Sequence, residues 1–131
     1  MTEIFLDSNI LVYSLSPEVE KRIKALSAIA NRPTISVQVL NEFVNVVRKK
    51  LRLEIGEITD LLAPIRVKCE VVSLTEATHD LAVRISRDHK FKIFDANIIA
   101  AAELAGCDVL YTEDLNDGQR IGRVTIRNPF A

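Results

Sequence analysis

The chain opens on "EIFLDSNILVYSL", residues 3–15, and the reading of this stretch decides the fold. Ile4, Phe5 and Leu6 form an uninterrupted apolar run of the kind found in a strand buried on both faces. Asp7 follows at once and Asn9 comes two residues later. The chain then turns apolar again, as a short helix over about residues 8–14. A carboxylate where a buried strand runs into a helix has two explanations. It caps the helix, or the strand end is a place where acidic groups gather. The rest of the chain has to choose between them.

Working outward, short apolar runs alternate with longer segments of helical period. The segment "PEVEKRIKALSAIAN" from Pro17 puts Val19, Ile23, Leu26 and Ala30 on one helical face, and Asn31, Arg32 and Pro33 end it. "TISV" (34–37) reads as a second strand. Residues 37–51 read as a helix on a stripe of Val37, Leu40, Val44, Val47 and Leu51. A helix over about 57–67 carries Pro64 as a kink or an early stop. "EVVSL" (70–74) is a third strand, and Thr75 is the N-cap of a helix running to about residue 88. "FDANIIAAAELAG" (94–106) is an Ala-rich helix closed by Gly106 at its C′ position. "DVLYT" (108–112) is a fourth strand, and a short strand near "VTI" finishes the sheet. The alternation predicts a doubly wound α/β domain with a mainly parallel central sheet and helices on both faces. Ligands of such sheets collect at the carboxyl ends of the strands, near the switch in strand order.

At 131 residues, 48% hydrophobic and 27% charged, the chain suits one domain with a real core and is too short for two comfortable ones. Trp is absent and aromatics are sparse, which predicts an aliphatic core. No apolar run approaches the roughly 20 residues of a membrane span, and no basic stretch leads into a signal-type apolar block. The expected location is the cytoplasm. Cys69 and Cys107 lack CxxC spacing and read as two buried free thiols. His79 and His89 have no partner at ligand spacing. A net charge of −1 does not describe a protein that coats nucleic acid through bulk charge. Local basic clusters remain, at Arg48, Lys49, Lys50 and Arg52, at Arg84, Arg87, Lys90 and Lys92, and at Arg120, Arg123 and Arg127. Each of these, taken alone, also reads as a solvated face.

Asp7 leaves strand one. Asp114 leaves strand four in "YTEDLNDG", with Asp117 three residues on, and Asp95 opens the Ala-rich helix. If strands one and four are neighbours, Asp7 and Asp114 meet at one end of the sheet, with Asp95 on the same rim. Clustered carboxylates repel one another and are costly to bury uncompensated, so a fold that gathers several usually holds a hard cation there. Mg²⁺ or Mn²⁺ suits all-oxygen ligation. Such ions polarise phosphate oxygens and activate water, so the constellation predicts metal-assisted phosphodiester hydrolysis. Each acid also has a plainer explanation. Asp7 and Asp95 can serve as anions at helix N-termini, Asp114 and Asp117 as turn residues around "NDG", and Thr112 as a strand-end hydroxyl. Glu42 stands on the border between the faces of its helix, about 40° beyond Val46, so periodicity leaves it a solvated glutamate.

Together, "FLDSNIL", "VLNEF", "FDANIIAAA" and "LYTEDLNDG", in this order from Asp7 to Gly118, resemble a PIN domain, and more narrowly the VapC-type toxins of bacterial and archaeal toxin–antitoxin pairs. The resemblance implies a single PIN-like nuclease domain over residues 1–131, an endoribonuclease dependent on Mg²⁺ or Mn²⁺. Its acidic set matches Asp7, Glu42, Asp95 and Asp114. Asn9 and Thr112 match polar supporting positions, and Asp117 matches a further acidic position, an auxiliary ligand or a support. Arg48, Lys49, Arg87, Lys90 and Arg120 are the candidate contacts to RNA phosphates. No RNA-recognition module with exposed stacking aromatics is legible. The resemblance also implies a VapB-like antitoxin whose tail lies over the acidic groove, and a homodimer. Helices 18–30 and 57–67 carry apolar stripes suited to such contacts and equally to a core.

Two rivals stand beside this reading. An Asp-nucleophile phosphatase is suggested by the "FLD" start, similar to haloacid dehalogenase-like enzymes, but those carry a second Asp where Asn9 stands. A non-catalytic RNA- or protein-binding module of the same fold would bind without cleaving, indifferent to a chelator.

Overall fold

The computed structural model describes residues 3–131. Its elements in chain order are β1 (Ile4–Leu6), α1 (Ser8–Tyr13), α2 (Val19–Ala30), β2 (Thr34–Ser36), α3 (Val37–Leu51), α4 (Ile55–Lys68), β3 (Glu70–Val72), α5 (Glu76–His89), α6 (Ile93–Leu104), β4 (Val109–Tyr111), β5 (Arg120–Ile121) and β6 (Val124–Arg127). The strands form one sheet in the order β3-β2-β1-β4-β6-β5. All neighbours run parallel except the β5–β6 hairpin.

Topology decides where the chemistry can sit. From β1 the chain steps outward to β2 and β3, then returns to β4 on the other side of β1. Right-handed crossovers place the helices of the two outward steps, α1 to α4, on one face and those of the return, α5 and α6, on the other. The order switches between β1 and β4, and Asp7 and Thr112 leave those two strands at the same end. Strands one and four are therefore the neighbours that the convergence of acids required.

Short strands suffice because both faces are covered. Phe5, Leu6, Ile35, Leu110 and Ile126 are fully buried, as are Ile10, Leu11, Val39 and Phe43 from the helices. The alanines of α6, Ala96, Ala100 and Ala102, are fully buried too, and their small size lets that helix lie close on the sheet. Phe5 and Phe43 correct the expectation of a purely aliphatic core. Cys69 and Cys107 are buried free thiols as expected, and desolvation pushes Cys69 up to about 11.

Several sequence expectations change. In α2 the inward residues are Ala25 and Ile29, while Val19, Ile23 and Leu26 are 55%, 59% and 46% exposed. A period of 3.6 identifies a stripe without saying which stripe faces the chain's own core, and here the smaller residues face it. In α3 the buried line is Val39, Phe43 and Val47, with Leu40 and Val44 half-buried; Val37 and Leu51, at the two ends, are exposed. Strand two stops at Ser36, whose hydroxyl accepts from Val39 N at 3.3 Å and caps α3. α4 starts two residues early on a Glu54–Glu57 capping box and continues past Pro64. Pro64 and Asp60 both lie on its exposed face, so the carbonyl freed by the missing N–H is on the watered side. Strand three ends at Val72, and β5 was not foreseen. Gly106 does take the left-handed turn after α6, with φ +78°. Among the described residues no helix is long and apolar enough to cross a membrane.

Candidate active site

Asp7 occupies the position where β1 becomes α1, and its carboxylate serves both. Oδ1 accepts from the Ser8 amide at 2.7 Å, closing the helix N-terminus, and Oδ2 accepts from the Thr112 hydroxyl at 2.9 Å. The side chain is 7% exposed, yet both partners are neutral. Desolvation is the main cause that raises its pKa, with the charges of Asp114 and Asp95 adding to it and the two hydrogen bonds opposing it.

Thr112, just past β4 and wholly buried, ties the cluster together. Besides donating to Asp7, its oxygen accepts from Asn9 Nδ2 at 3.2 Å and from the Asp114 amide at 3.2 Å. Asn9 Nδ2 also reaches Asp114 Oδ2 at 3.1 Å. The next residue, Glu113, accepts from Tyr13 Oη at 2.5 Å, which fastens the loop after β4 to α1. Asn9 and Thr112 thus hydrogen-bond to each other and to the carboxylates of Asp114 and Asp7.

Glu42 lies on the second turn of α3, which the Ser36 cap starts from the end of β2. It is half-buried, with burial first and the charges of Asp7, Asp95 and Asp114 next in raising it, against a hydrogen bond from Gln38 Nε2 at 3.4 Å. The border position that periodicity assigned to Glu42 is thus the border of the acidic cluster. Asp95, in the first turn of α6, is raised by burial and by Asp114, and lowered by Lys92. No ion pair among the described residues involves any of these four acids.

Asp117 is placed differently. It is exposed, and its Oδ1 accepts from the Asn128 amide at 2.9 Å, holding the segment after β6. The basic candidates scatter. Arg48 and Lys49 sit in the last turn of α3, roughly 10 Å along its axis from Glu42. Arg120 spends its Nε on the Gly122 carbonyl at 3.0 Å. Arg87 and Lys90 end α5 close in sequence to Lys92, the cation whose charge acts on Asp95. Gln38 was not singled out from sequence, and Lys92 only as one member of a basic cluster. The i, i+4 spacing of Gln38 and Glu42 on one helix was the available signal for the first.

Among the described residues no three Asp, Glu, His or Cys side chains close into a ready-made metal cage. The donor set nonetheless fits a hard cation. Mg²⁺ keeps several waters and takes one or two carboxylates directly, and these four acids act on one another with no ion pair to any of them among the described residues. The buried Asn9 Oδ1 also has no donor, which a coordinated water can supply. A wider groove of about 1020 Å³ lies elsewhere, along α2 and the Asn31–Pro33 turn, and shares no residue with the cluster.

The PIN domain family model matches residues 4–122. No curated protein matches the sequence. Among solved structures, a chain of a toxin–antitoxin complex from Klebsiella pneumoniae is 25% identical, with a TM-score of 0.68 over 97% of this chain and 98% of that one. VapC20 of Mycobacterium tuberculosis, a toxin that cleaves the sarcin–ricin loop, gives 18% identity and a TM-score of 0.68 over 86% and 90%. A chain of the DNA-bound VapBC complex of Salmonella typhimurium gives 20% identity and a TM-score of 0.67 over 98% and 99%.

Proposed function

The chain belongs to the PIN domain family, and from that premise we propose that it is an endoribonuclease dependent on Mg²⁺ or Mn²⁺, the toxin of a VapBC-like toxin–antitoxin pair. One observation carries the reading. Asp7 is a buried carboxylate held only by neutral donors, with the charges of Asp114 and Asp95 acting on it, its own charge acting on Glu42, and no ion pair among the described residues to any of the four. Folding gathers that charge at a net electrostatic cost, and a divalent ion offsets it.

Asp7, Glu42, Asp95 and Asp114 would hold the ion, directly or through water. When bound, it supplies charge stabilisation at the phosphate and an activated water. The chain's own residues do the rest. Thr112 fixes the orientation of Asp7 and, through the Asp114 amide, of the loop after β4. Asn9 keeps Asp114 turned toward the cluster. Lys92, with Lys90 near it in sequence, offers charge to the RNA backbone at the α6 side of the rim, which the acids alone would repel. Arg87 is already ion-paired to Asp88 at 2.8 Å. Asp117 acts at a distance, as a brace on the C-terminal segment.

The neighbours from toxin–antitoxin complexes support a VapB-like antitoxin as partner; a homodimer and a cytoplasmic location are part of the same proposal. The exposed apolar face of α2 (Val19, Ile23, Leu26) and the exposed Ile55 and Val67 of α4 are the surfaces we assign to protein contacts.

The test is cleavage of total cellular RNA by the purified protein with Mg²⁺, with Mn²⁺ and with EDTA, beside Asp7→Asn and Asp95→Asn. Metal-dependent discrete fragments that vanish in both folded variants are expected. RNA left intact under every metal, with variants and wild type alike, would remove the enzyme reading. Chelator-insensitive binding would leave a binding module in its place.

A further inference from the structure

The chain has seven aromatic residues, five Phe and two Tyr. Phe5 and Phe43 are in the core, and Tyr13, Phe91, Tyr111 and Phe130 are half-buried. Phe94 is the one left in solvent, 70% exposed, and it immediately precedes Asp95. Ile93, its neighbour in sequence, is also exposed. An exposed Leu or Val on a helix needs no explanation. A phenylalanine held out beside a cluster of carboxylates exposes a large apolar ring next to charges that attract water.

The backbone beneath it is fixed. Gln38 Nε2 donates to the Phe94 carbonyl at 3.1 Å and reaches Glu42 Oε1 at 3.4 Å, so one side chain joins the Phe94 turn to the acidic cluster. Upstream, Ser86 Oγ donates to the Phe91 carbonyl at 2.6 Å, and Lys90 turns the chain in the left-handed region at φ 64°. The backbone that carries the ring, in the first turn of α6, is thus held in place. The same turn carries Lys90 and Lys92, both exposed. Successive residues of a helix point about 100° apart, so Phe94 leaves the helix in a different direction from Asp95 and stands in solvent next to it.

A planar apolar ring flanked by cations and one residue from an anionic centre matches an unpaired nucleotide: a base with a π-face, a phosphate on either side, and a scissile phosphate within reach of the acids. We propose that Phe94 is the stacking platform for a base of single-stranded RNA next to the cleaved bond, with Lys92 on the adjoining phosphate. The proposal rests on the nuclease reading and deepens it. It makes Phe94 a determinant of substrate binding and of preference for unpaired RNA. Duplex RNA, whose bases are already stacked, cannot use it.

The absence of tryptophan from the chain gives a direct test. Phe94→Trp in an Asp7→Asn background has a single indole, placed at the platform, and does not consume its ligand. Titration with single-stranded oligoadenylate of about eight nucleotides quenches its emission, and the same oligonucleotide in a duplex does not. In otherwise wild-type protein, Phe94→Ala raises KM for a single-stranded substrate by roughly 5- to 100-fold with little change in kcat, and Phe94→Tyr restores it. Absence of quenching together with an unchanged KM would overturn the proposal while wild-type cleavage leaves the nuclease intact. Phe94→Ala that shifts the sedimentation of the protein toward monomer while cleavage parameters stay unchanged would also overturn it, and assign the ring to a second copy. If wild type cleaves no RNA at all, the nuclease reading itself fails, and the quenching titration still decides whether Phe94 meets RNA.

Discussion

Asp7→Asn should separate what Asp7 costs the fold from what it gives the site, through the way its effect changes with pH. Burial and the acids around it raise the Asp7 carboxyl above its ordinary value of 3.8. A folded-state value above the unfolded one means that the native state binds the extra proton. The associated stability is complete below pH 3.8 and is lost as pH rises through the raised value. Each pH unit of that window removes up to about 1.4 kcal/mol from the metal-free wild type. Asparagine does not titrate. Its own penalty is one hydrogen bond, because an amide facing Thr112 turns the Asp7 Oδ2 acceptor into a donor, worth about 0.5–1.5 kcal/mol. For 131 residues the entropy of unfolding is about 0.28 kcal/mol/K, so those figures become about 5 °C per pH unit and about 2–5 °C. The variant should therefore melt below wild type near pH 4 and overtake it toward neutrality. Relief of Glu42, which Asp7 also raises, adds to the same trend. Paired thermal melts by circular dichroism in EDTA, from pH 4 to 8, measure the difference. The groups common to both proteins largely cancel in it. A gap that stays flat or narrows as pH rises would refute the argument that Asp7 is held buried against its own charge.

Three more outcomes follow from the same cluster. Mg²⁺ at about 100 times its Kd should stabilise wild type by about 2.7 kcal/mol, a rise of about 10 °C in Tm near pH 7.5, and Asp7→Asn should lose most of that response; equal shifts in both would place the ion elsewhere. Thr112→Val strips partners from Asp7, Asn9 and the Asp114 amide at once, so a loss of about 1–3 kcal/mol and a roughly 10- to 100-fold drop in cleavage are expected, measured by denaturant melts and initial rates. Asp117→Ala should lower Tm slightly through the freed Asn128 amide and leave cleavage and Mg²⁺ stabilisation unchanged; a collapse of either would make Asp117 a ligand after all.

Much of this was legible in the sequence because local signals agreed. Strand, Asp, helix at Asp7, the Thr75 cap, the Ala-rich stretch and Gly106 each depend on interactions within a few residues. Alternation of strand and helix then fixed a parallel sheet whose strand ends are the natural site. What the sequence left open depends on long-range packing. Periodicity found the apolar stripe of α2 but could not tell inside from outside, since Ala25 and Ile29 pack inward with less side chain than Val19, Ile23 and Leu26 hold outward. The helical pattern by itself left Glu42 a solvated glutamate. The resemblance of "VLNEF" singled it out where the helical pattern could not. Asp117 and Asn128, like Gln38 and Phe94, are joined by bonds across many residues that no spacing rule reveals.

The way the cluster is held also explains why no lysine or arginine neutralises it. A basic side chain on Asp7 would remove most of the repulsion among the four acids and would stabilise the fold. It would also occupy the space and charge that a divalent ion needs. The chain instead uses groups that orient carboxylates without cancelling them: a backbone amide and a hydroxyl on Asp7, a carboxamide on Asp114, a carboxamide on Glu42. Its cations stay at the edge, with Lys92 near enough to act on Asp95 but not paired to it. Neutral support in the middle and positive charge at the rim is an arrangement that is poor for the stability of the isolated protein and suited to an anionic polymer approaching a cation. The surplus negative charge is therefore better explained by a ligand the fold is built to receive than by any need of the fold itself.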